Sequence, residues 1–385
     1  MRATKAIIHI DYFKENIRKI RGFTANGVKM CVPVKADAYG HGAVECARAA
    51  VECGVDYLAV ATVGEGVELR NAGIKAPVLL FSLCSPEEVD DAVSHDITPF
   101  VFDCEYISLF DEAAGRLGKE RYPVHLAVDT GMGRIGCRPE DAAGIASMIA
   151  GSRNLFQEGT MTHFATSDCK DPDSVAYTEK QFSLFRKAID SIRREGLEPG
   201  ICHCANSAAT LDLPETHMDM VRPGIIVYGY DAGDVDMKYL AGKGTPIELK
   251  PVMTLVTEVS AVRRFKAGAS VGYGRTWKAE ADTDIAVLTI GYGDGFVRRF
   301  SQAGIKVAIN GKEYPVRGRI CMDQCMVDLG LDSGVKRWDR AVIFGAREDG
   351  ALQTAEDIAD MTGTISYEVT TVLTRRVPRE FVGLE

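Results

Sequence analysis

The chain has 385 residues, of which 46% are hydrophobic and 26% charged, with a net charge of −9 and a pI near 5.4. This acidic balance argues against a nucleic-acid surface, which needs clustered Lys and Arg, and no run approaches the roughly 20 apolar residues of a membrane span. Because single hydrophobic cores stop growing at about 250 to 300 residues, the length predicts two domains.

The eleven cysteines indicate a reducing compartment. Their spacings match no zinc-ligand pattern, and a chain of this size does not need disulfides to fold. The first residues lack the long apolar run of a signal peptide. We therefore expect a cytoplasmic protein with free thiols, no metal site and a small-molecule partner rather than a nucleic acid or a membrane.

From residue 28 onward, short β-rich runs alternate with helical patterns, which is the rhythm of repeated βα units. The predicted strands are 30–34, 57–61, 78–81, 98–102, 124–128, 157–163, 201–205 and 218–221. Helix signals lie between them, such as the N-cap Ser85 before Pro86 and the helical spacing of apolar residues over 181–192. Eight units favour a closed (β/α)₈ barrel of the TIM type over residues 11–245, with an open doubly wound sheet as the alternative.

After residue 245 the sequence becomes rich in strand signals and poor in helix signals. The predicted strands are 252–262, 284–290, 306–309, 314–316, 325–328 and 340–344. Asn310-Gly311 is a strong hairpin turn signal. The predicted fold class is therefore α/β: a barrel followed by a mostly β domain over 246–385, with residues 1–10 packed on that second domain.

The run 34–42 places Lys35 at the polar end of the first barrel strand, before a turn that contains Gly40 and Gly42. Active sites of α/β barrels assemble at this end of the strands. A partly desolvated lysine loses its proton readily and can form a Schiff base with an aldehyde cofactor. A surface lysine beside a turn is the alternative for this residue taken alone.

Arg134 and His163 also follow predicted barrel strands. Arg134 lies in a loop with three glycines, where its planar fork suits a carboxylate or phenolate oxygen; a surface ion pair is the alternative. His163 ends the sixth strand, where a structural histidine is the commoner role.

Two further segments suit a phosphate group. Asn206 and Ser207 begin a helix after the seventh strand and fit either helix capping or phosphate binding. Gly224 and Ile225 offer backbone donors after the eighth strand, where barrels commonly bind phosphate.

The run 34–42 closely resembles the lysine segment that holds pyridoxal phosphate in the alanine racemase family. Further matches follow in chain order across both predicted domains. They are 129–136, 161–165, 206–210, 220–225, 271–277, 291–295, 321–324, 365–369 and 376–379. The resemblance implies interconversion of L-alanine and D-alanine, which supplies D-alanine for peptidoglycan, by a homodimer whose active sites are shared between chains.

The resemblance also implies the residues that act on the substrate. Lys35 would be the base for the D-isomer, and Tyr273, contributed by the partner chain, the base for the L-isomer. An isolated phenol has a pKa near 10, so Tyr273 would need help from His163 held by Arg222. Taken alone, Tyr273 between two glycines also fits a structural hairpin aromatic.

Binding roles follow from the same resemblance. Arg222 would donate to the pyridine nitrogen, and Arg134 would orient the substrate carboxylate and the cofactor's phenolic oxygen. The residues implied to bind the cofactor, most of them on its phosphate side, are Tyr39, Asn206, Ser207, Gly224, Ile225 and Tyr367. Those implied at the substrate or the entrance are Tyr292, Met322 and Asp323.

One residue departs from the family pattern. Ala127 stands where many members have a carbamylated lysine that braces Arg134.

Three other functions stay open. A serine or broader amino-acid racemase is the nearest alternative, although Tyr367 replaces the smaller polar residue of the serine enzymes. A pyridoxal-phosphate decarboxylase would need other motifs near Tyr273, and a non-catalytic pyridoxal-phosphate protein would lack the second domain.

Overall fold

The computed structural model describes residues 2–384, so Met1 and Glu385, which the predicted second domain includes, lie outside the description. The chain begins with β1 (Lys5–His9) and continues into eight parallel strands. These are β2 (Lys29–Pro33), β3 (Tyr57–Val60), β4 (Val78–Leu80), β5 (Ile97–Val101), β6 (Tyr122–Ala127), β7 (Leu155–Met161), β8 (Ile201–His203) and β9 (Met220–Val221). Both ends of each of these eight strands lie within three residues of the predicted ends, so the predicted βα rhythm is confirmed.

The eight strands close into a barrel rather than an open sheet. β2 pairs in parallel with both β3 and β9. Between β8 and β9, the Asp219 amide donates to the Cys202 carbonyl at 3.0 Å and the Arg222 amide donates to the Ala205 carbonyl at 2.9 Å. The predicted TIM-type barrel is therefore correct.

Helices surround the barrel. They are α1 (Ile10–Arg21), α3 (Ala43–Glu52), α4 (Val63–Asn71), α5 (Val89–Ser94), α6 (Cys104–Arg116), α7 (Ala142–Gly151), α8 (Pro172–Arg194), α9 (Ser207–Asp212) and α10 (Met237–Gly242), while α2 (Lys35–Gly40) is a single turn with left-handed backbone angles. Their apolar faces pack on the outside of the strands, while a second, smaller cluster fills the barrel interior. That interior cluster contains Cys31, Tyr57, Ala59, Leu79, Phe100, Ala127, Met161 and Met220.

The C-terminal third of the chain forms a second, mostly β part of the structure. Its elements are β10 (Met253–Phe265), β11 (Ser270–Val271), β12 (Trp277–Lys278), β13 (Thr283–Leu288), β14 (Lys306–Ile309), β15 (Lys312–Arg317), β16 (Cys325–Gly330), β17 (Arg340–Phe344) and β18 (Arg379–Val382), with α11 (Ala355–Thr362) and α12 (Ser366–Thr371). β11 and β12 form a separate ribbon, and the other strands form one sheet that β1 joins between β10 and β18. Asn310 and Gly311 form the β14–β15 turn, with φ of 50° and 74°, as the hairpin signal predicts.

The sequence did not predict α11, α12 or β18. α11 begins at a capping box in which the Thr354 hydroxyl accepts from the Asp357 amide and the Asp357 side chain accepts from the Thr354 amide. The capping box is a local signal for a helix start, but the segment around it is rich in strand-forming residues, which favoured a prediction of strands. Within residues 2–384, no helix has the length and apolar character that crossing a membrane requires.

Candidate active site

A cavity of about 200 Å³ opens at the carboxyl ends of the barrel strands. It brings together most of the residues implied to bind the cofactor. They are Lys35, Tyr39, Arg134, His163, Asn206, Ser207, Arg222, Gly224 and Tyr367. These residues come from six segments that are distant in sequence. Five of the segments follow barrel strands and the sixth is α12, so the barrel topology assembles most of the site.

Lys35 lies two residues after β2, at the start of a left-handed turn. Ala36 to Tyr39 all have φ of 52° or 53°. For residues with a Cβ this conformation costs roughly 1–2 kcal/mol each, so other contacts must hold the turn. The Asp37 carboxylate accepts from the Ala43 amide at 2.8 Å, and the Glu65 carboxylate accepts from the Ala36 amide at 2.7 Å. A strained turn held in this way is typical of a functional site.

The environment of Lys35 favours its neutral amine. Burial lowers the pKa of Lys35, the nearby charge of Arg134 lowers it further, and the charge of Glu65 raises it. Its Nζ lies 6.0 Å from the centre of the Tyr39 ring. A lowered pKa increases the neutral fraction of the amine, and the neutral amine is the form that acts as a nucleophile or a base.

Tyr39 and Ser207 place two hydroxyls around Gly224. The Gly224 amide donates to Ser207 Oγ at 2.8 Å. A Cβ at Gly224 would lie 3.1 Å from the Tyr39 hydroxyl and 3.6 Å from Ser207 Oγ, so the glycine keeps this space open. Tyr367 packs edge-on against Tyr39 with ring centres 5.5 Å apart. The result is a small polar cradle that fits an anionic group.

Asn206 lines the cavity next to Ser207, and Ile225 follows Gly224 in the chain. Asn206 is the N-cap of α9, because its side chain accepts from the Ala209 amide at 3.2 Å. The same oxygen accepts from the Ser167 hydroxyl at 2.9 Å. Ile225 is fully buried at the start of a 3₁₀ turn and is not among the residues that line the cavity.

Arg222 is 3% exposed and makes several hydrogen bonds from one guanidinium. It donates to His203 Nδ1 at 2.8 Å, to His163 Nδ1 at 3.2 Å and to the Thr162 carbonyl at 2.9 Å. Burial lowers the pKa of Arg222 to about 10, which still leaves it charged at neutral pH. Burial and the charge of Arg222 hold the pKa of His163 well below its usual value, so His163 is neutral.

Arg134 is exposed at the rim of the cavity, in a loop that Asp129 organises. The Asp129 carboxylate accepts from the Gly131 amide at 2.9 Å and from the Gly133 amide at 3.1 Å. Ala127 is the last residue of β6 and is fully buried in the barrel interior. Its methyl group cannot brace the guanidinium.

Tyr273, Tyr292, Met322 and Asp323 lie elsewhere, in the turns between β11 and β12, between β13 and β14, and between β15 and β16; we call these turns the entrance face. Tyr273 is 67% exposed, Met322 52% and Tyr292 39%. Backbone hydrogen bonds join part of this face, because the Gly293 amide donates to the Met322 carbonyl at 2.8 Å. In the described part of this chain, these four residues do not line the cavity with Lys35.

The sequence did not predict the ion pairs that support the entrance face. Asp294 is fully buried, and the Arg2 guanidinium donates to its two oxygens at 2.6 and 2.9 Å. Arg376 lies 3.2 Å from Asp294 and donates to Asp323 at 2.7 Å. The local sequence contained one signal for Asp294, a carboxylate among the glycines of 291–295. Its partners Arg2 and Arg376 are distant in sequence, so the ion pairs themselves were not predictable from that segment.

Two family models match the chain. "Alanine racemase, N-terminal domain" matches residues 8–232, and "Alanine racemase, C-terminal domain" matches residues 252–381. An alanine racemase of Treponema denticola is 48% identical over 384 residues, 99% of this chain and 99% of that protein. One of Desulforamulus reducens is 42% identical over 381 residues, 98% of each chain.

Solved structures give the same result. An alanine racemase of Clostridium difficile 630 superposes with a TM-score of 0.90 at 37% identity and covers 99% of this chain and 96% of that one. One of Bacillus anthracis with bound L-Ala-P gives a TM-score of 0.90 at 33% identity, covering 99% and 95%. Both sequence and architecture match over the whole length, and the chain therefore belongs to the alanine racemase family.

Proposed function

We propose that this protein interconverts L-alanine and D-alanine with pyridoxal phosphate as its cofactor. The observation that carries the proposal is the meeting of Lys35, Arg222 and the cradle around Gly224 in one cavity. A reactive amine, a fixed cation and an anion cradle are the three features that a phosphorylated aldehyde cofactor requires.

The residues present fit that cofactor. Tyr39, Ser207 and the backbone amides of Gly224 and Ile225 would hold the phosphate, because the missing Cβ of Gly224 leaves space between two hydroxyls. Lys35 would form the covalent attachment. When bound, pyridoxal phosphate makes the Cα proton of an attached amino acid more acidic.

Arg222 favours racemisation over other reactions of the same cofactor. It can only donate, and with a pKa of about 10 it keeps its proton at neutral pH. It would therefore hold a pyridine nitrogen without protonating it. This limits the withdrawal of electrons from Cα, so that a proton returns to Cα itself.

Racemisation needs a proton to leave one face of Cα and another to arrive on the opposite face. We assign Lys35 to the D-isomer and the Tyr273 of a partner chain to the L-isomer. The high exposure of Tyr273, Tyr292 and Met322 supports a homodimer in which the entrance face of one chain covers the cavity of the other. Arg134 would hold the substrate carboxylate.

The remaining assignments rest on broader features. We infer a cytoplasmic location from the eleven cysteines, all free thiols. The domain limits that we propose are 11–245 for the barrel and 246–385 for the second domain with 1–10. The product D-alanine would supply peptidoglycan synthesis.

The test is to incubate the purified holoenzyme with a panel of L-amino acids and to separate the products by chiral chromatography. We expect D-alanine to form much faster than any other D-amino acid. Tyr367 lines the cavity beside Tyr39, where by the family resemblance the serine enzymes have a smaller polar residue, and this favours alanine over serine. D-serine formation at an equal or greater rate, or release of CO₂ and an amine, would refute the proposal.

A further inference from the structure

A chain of buried polar side chains crosses the barrel interior below Arg222. His203 Nε2 lies 2.9 Å from His125 Nδ1, and His125 Nε2 lies 3.1 Å from a carboxylate oxygen of Glu158. Both imidazoles are fully buried, whereas the Glu158 side chain is 24% exposed. The hydrogen-bonded side chains of His203, His125 and Glu158 therefore join the cavity floor to a carboxylate that reaches solvent.

The hydrogen-bond partners fix the proton positions. Arg222 has only donors, so His203 Nδ1 must accept and His203 carries its proton on Nε2. That proton is donated to His125 Nδ1, which leaves the His125 proton on Nε2, facing Glu158. Every ring nitrogen is used, and all donors point from the guanidinium toward the carboxylate. Burial and the charge of Arg222 hold the pKa of His203 well below its usual value.

The barrel makes room for this chain at the expense of apolar packing. A Cβ at Gly159 would lie 2.6 Å from the His125 ring, and the β6–β7 register shifts between Val124 and His125. Most other side chains in the barrel interior are apolar. Two imidazoles in such a core cost free energy unless they are fully hydrogen-bonded, and an apolar pair would pack there without that requirement.

We propose that Glu158 is a positioning residue that acts through His125 and His203 on Arg222. Its negative charge polarises both rings along the chain, and this orients the Arg222 guanidinium and strengthens its hold on a proton. The inference rests on the proposed function, because it gives Arg222 the cofactor's ring nitrogen as its partner in the cavity. Glu158 itself touches neither the cavity nor a substrate.

The test compares Glu158→Gln with Glu198→Gln, the same change at an exposed residue just before β8. In the apoprotein, ¹⁵N NMR of labelled histidines should show both His125 and His203 protonated at Nε2. Glu158→Gln should shift the imidazole resonances of both rings, and Glu198→Gln should shift neither. A wild-type ring protonated at Nδ1, or a shift confined to His125, would overturn the inference without touching the proposed function.

In the holoenzyme, Glu158→Gln should lower kcat by roughly 2- to 30-fold, the usual range for coupling through a contact network, and shift the cofactor absorbance band. The alanine KM should change little, because no substrate contact is altered. Loss of thermal stability with an unchanged band and kcat would show a structural role and contradict the inference. Absence of racemisation in the wild type would instead contradict the proposed function, while the NMR result would still decide the proton positions.

Discussion

Two charges, Arg134 and Glu65, act in opposite directions on the pKa of Lys35, which begins a turn whose backbone is left-handed. Its lowered pKa comes first from burial, so the loss of bulk water matters more than either neighbour. The same turn brings Tyr39 back toward the amine. Glu65 contributes to both properties, because its charge raises the pKa of Lys35 and its carboxylate accepts from the Ala36 amide of the turn.

We predict that Lys35→Ala abolishes covalent attachment of pyridoxal phosphate. Borohydride reduction followed by denaturation and mass measurement should show cofactor fixed to the wild-type chain but not to the variant. Lys29→Ala is the matched control, because Lys29 lies in β2 as well, at its opposite and more exposed end. Cofactor fixed to the Lys35→Ala chain would show that another lysine forms the attachment.

Arg134 leads to a second prediction, about carbon dioxide. Ala127 ends β6 inside the barrel and has no amine to carbamylate. Activity should therefore be the same in buffer freed of CO₂ and in buffer with added bicarbonate, measured over a pH range in which carbamates form. Activity that falls without CO₂ and recovers on its return would indicate a carbamylated lysine at another position.

At the scale of elements, the sequence predicted what depends on local pattern. The eight barrel strands are short apolar runs, and the Asn310-Gly311 turn needs only two residues with positive φ. The left-handed turn after β2 was not predictable in this way, because Glu65 of the next βα unit holds it. Likewise, the His203–His125–Glu158 chain depends on β8, β6 and β7, three strands that pair side by side in the sheet but are distant in sequence.

The contact between α11 and the barrel yields a pH-dependent prediction. Glu356 accepts a hydrogen bond from the Asp231 amide. Burial, then the charge of Asp231, raises the pKa of Glu356 to about 7, and burial raises the pKa of Asp231 to about 6. A carboxyl whose pKa is raised on folding holds more protons in the folded state. Stability should therefore fall as the pH rises from about 4 to about 7.

The substitution Glu356→Gln removes one of these carboxyls and keeps an acceptor for the Asp231 amide. We expect the free energy of unfolding in urea to rise by about 1–3 kcal/mol at pH 8, with a smaller gain at pH 5. Glu112→Gln, an exposed position on α6, should have little effect at either pH. An equal effect of Glu356→Gln at both pH values would mean that the carboxyl is ionised throughout.

At the scale of the whole molecule, the residues implied for the site divide into two groups. Apart from Tyr367, which lies in α12, the cavity group was predictable because each member follows a barrel strand, and parallel strands end at one rim. Tyr273 and the rest of the entrance face follow no barrel strand, so their place beside Lys35 could be inferred only from the family resemblance. In the chain itself they are exposed in turns between strands of the C-terminal part.

The two-base assignment predicts an asymmetric variant. Tyr273→Phe should keep cofactor binding but lose exchange of the Cα proton from L-alanine by about 10²- to 10⁴-fold, the usual cost of removing a base. Exchange from D-alanine depends on Lys35 and should fall far less. Deuterium incorporation, followed separately from each isomer, measures the difference. Equal losses from both isomers would refute the assignment of one base to each face.

Sharing of sites between chains can be tested by mixing two inactive variants. In a mixed dimer of Lys35→Ala and Tyr273→Phe chains, one site lacks both residues and the other regains both, provided that each site takes Lys35 from one chain and Tyr273 from its partner. If the chains reassort freely, about half of the dimers are mixed, and about a quarter of the wild-type activity should return. The matched control mixes Lys35→Ala with the double variant, in which no site can contain both residues and no activity should return. Failure of the first mixture to regain activity, with chain exchange verified by mass-labelled protomers, would place both bases in one chain. The exposed position of Tyr273 in the turn between β11 and β12 would then have to change by a movement within the chain rather than by docking of a partner.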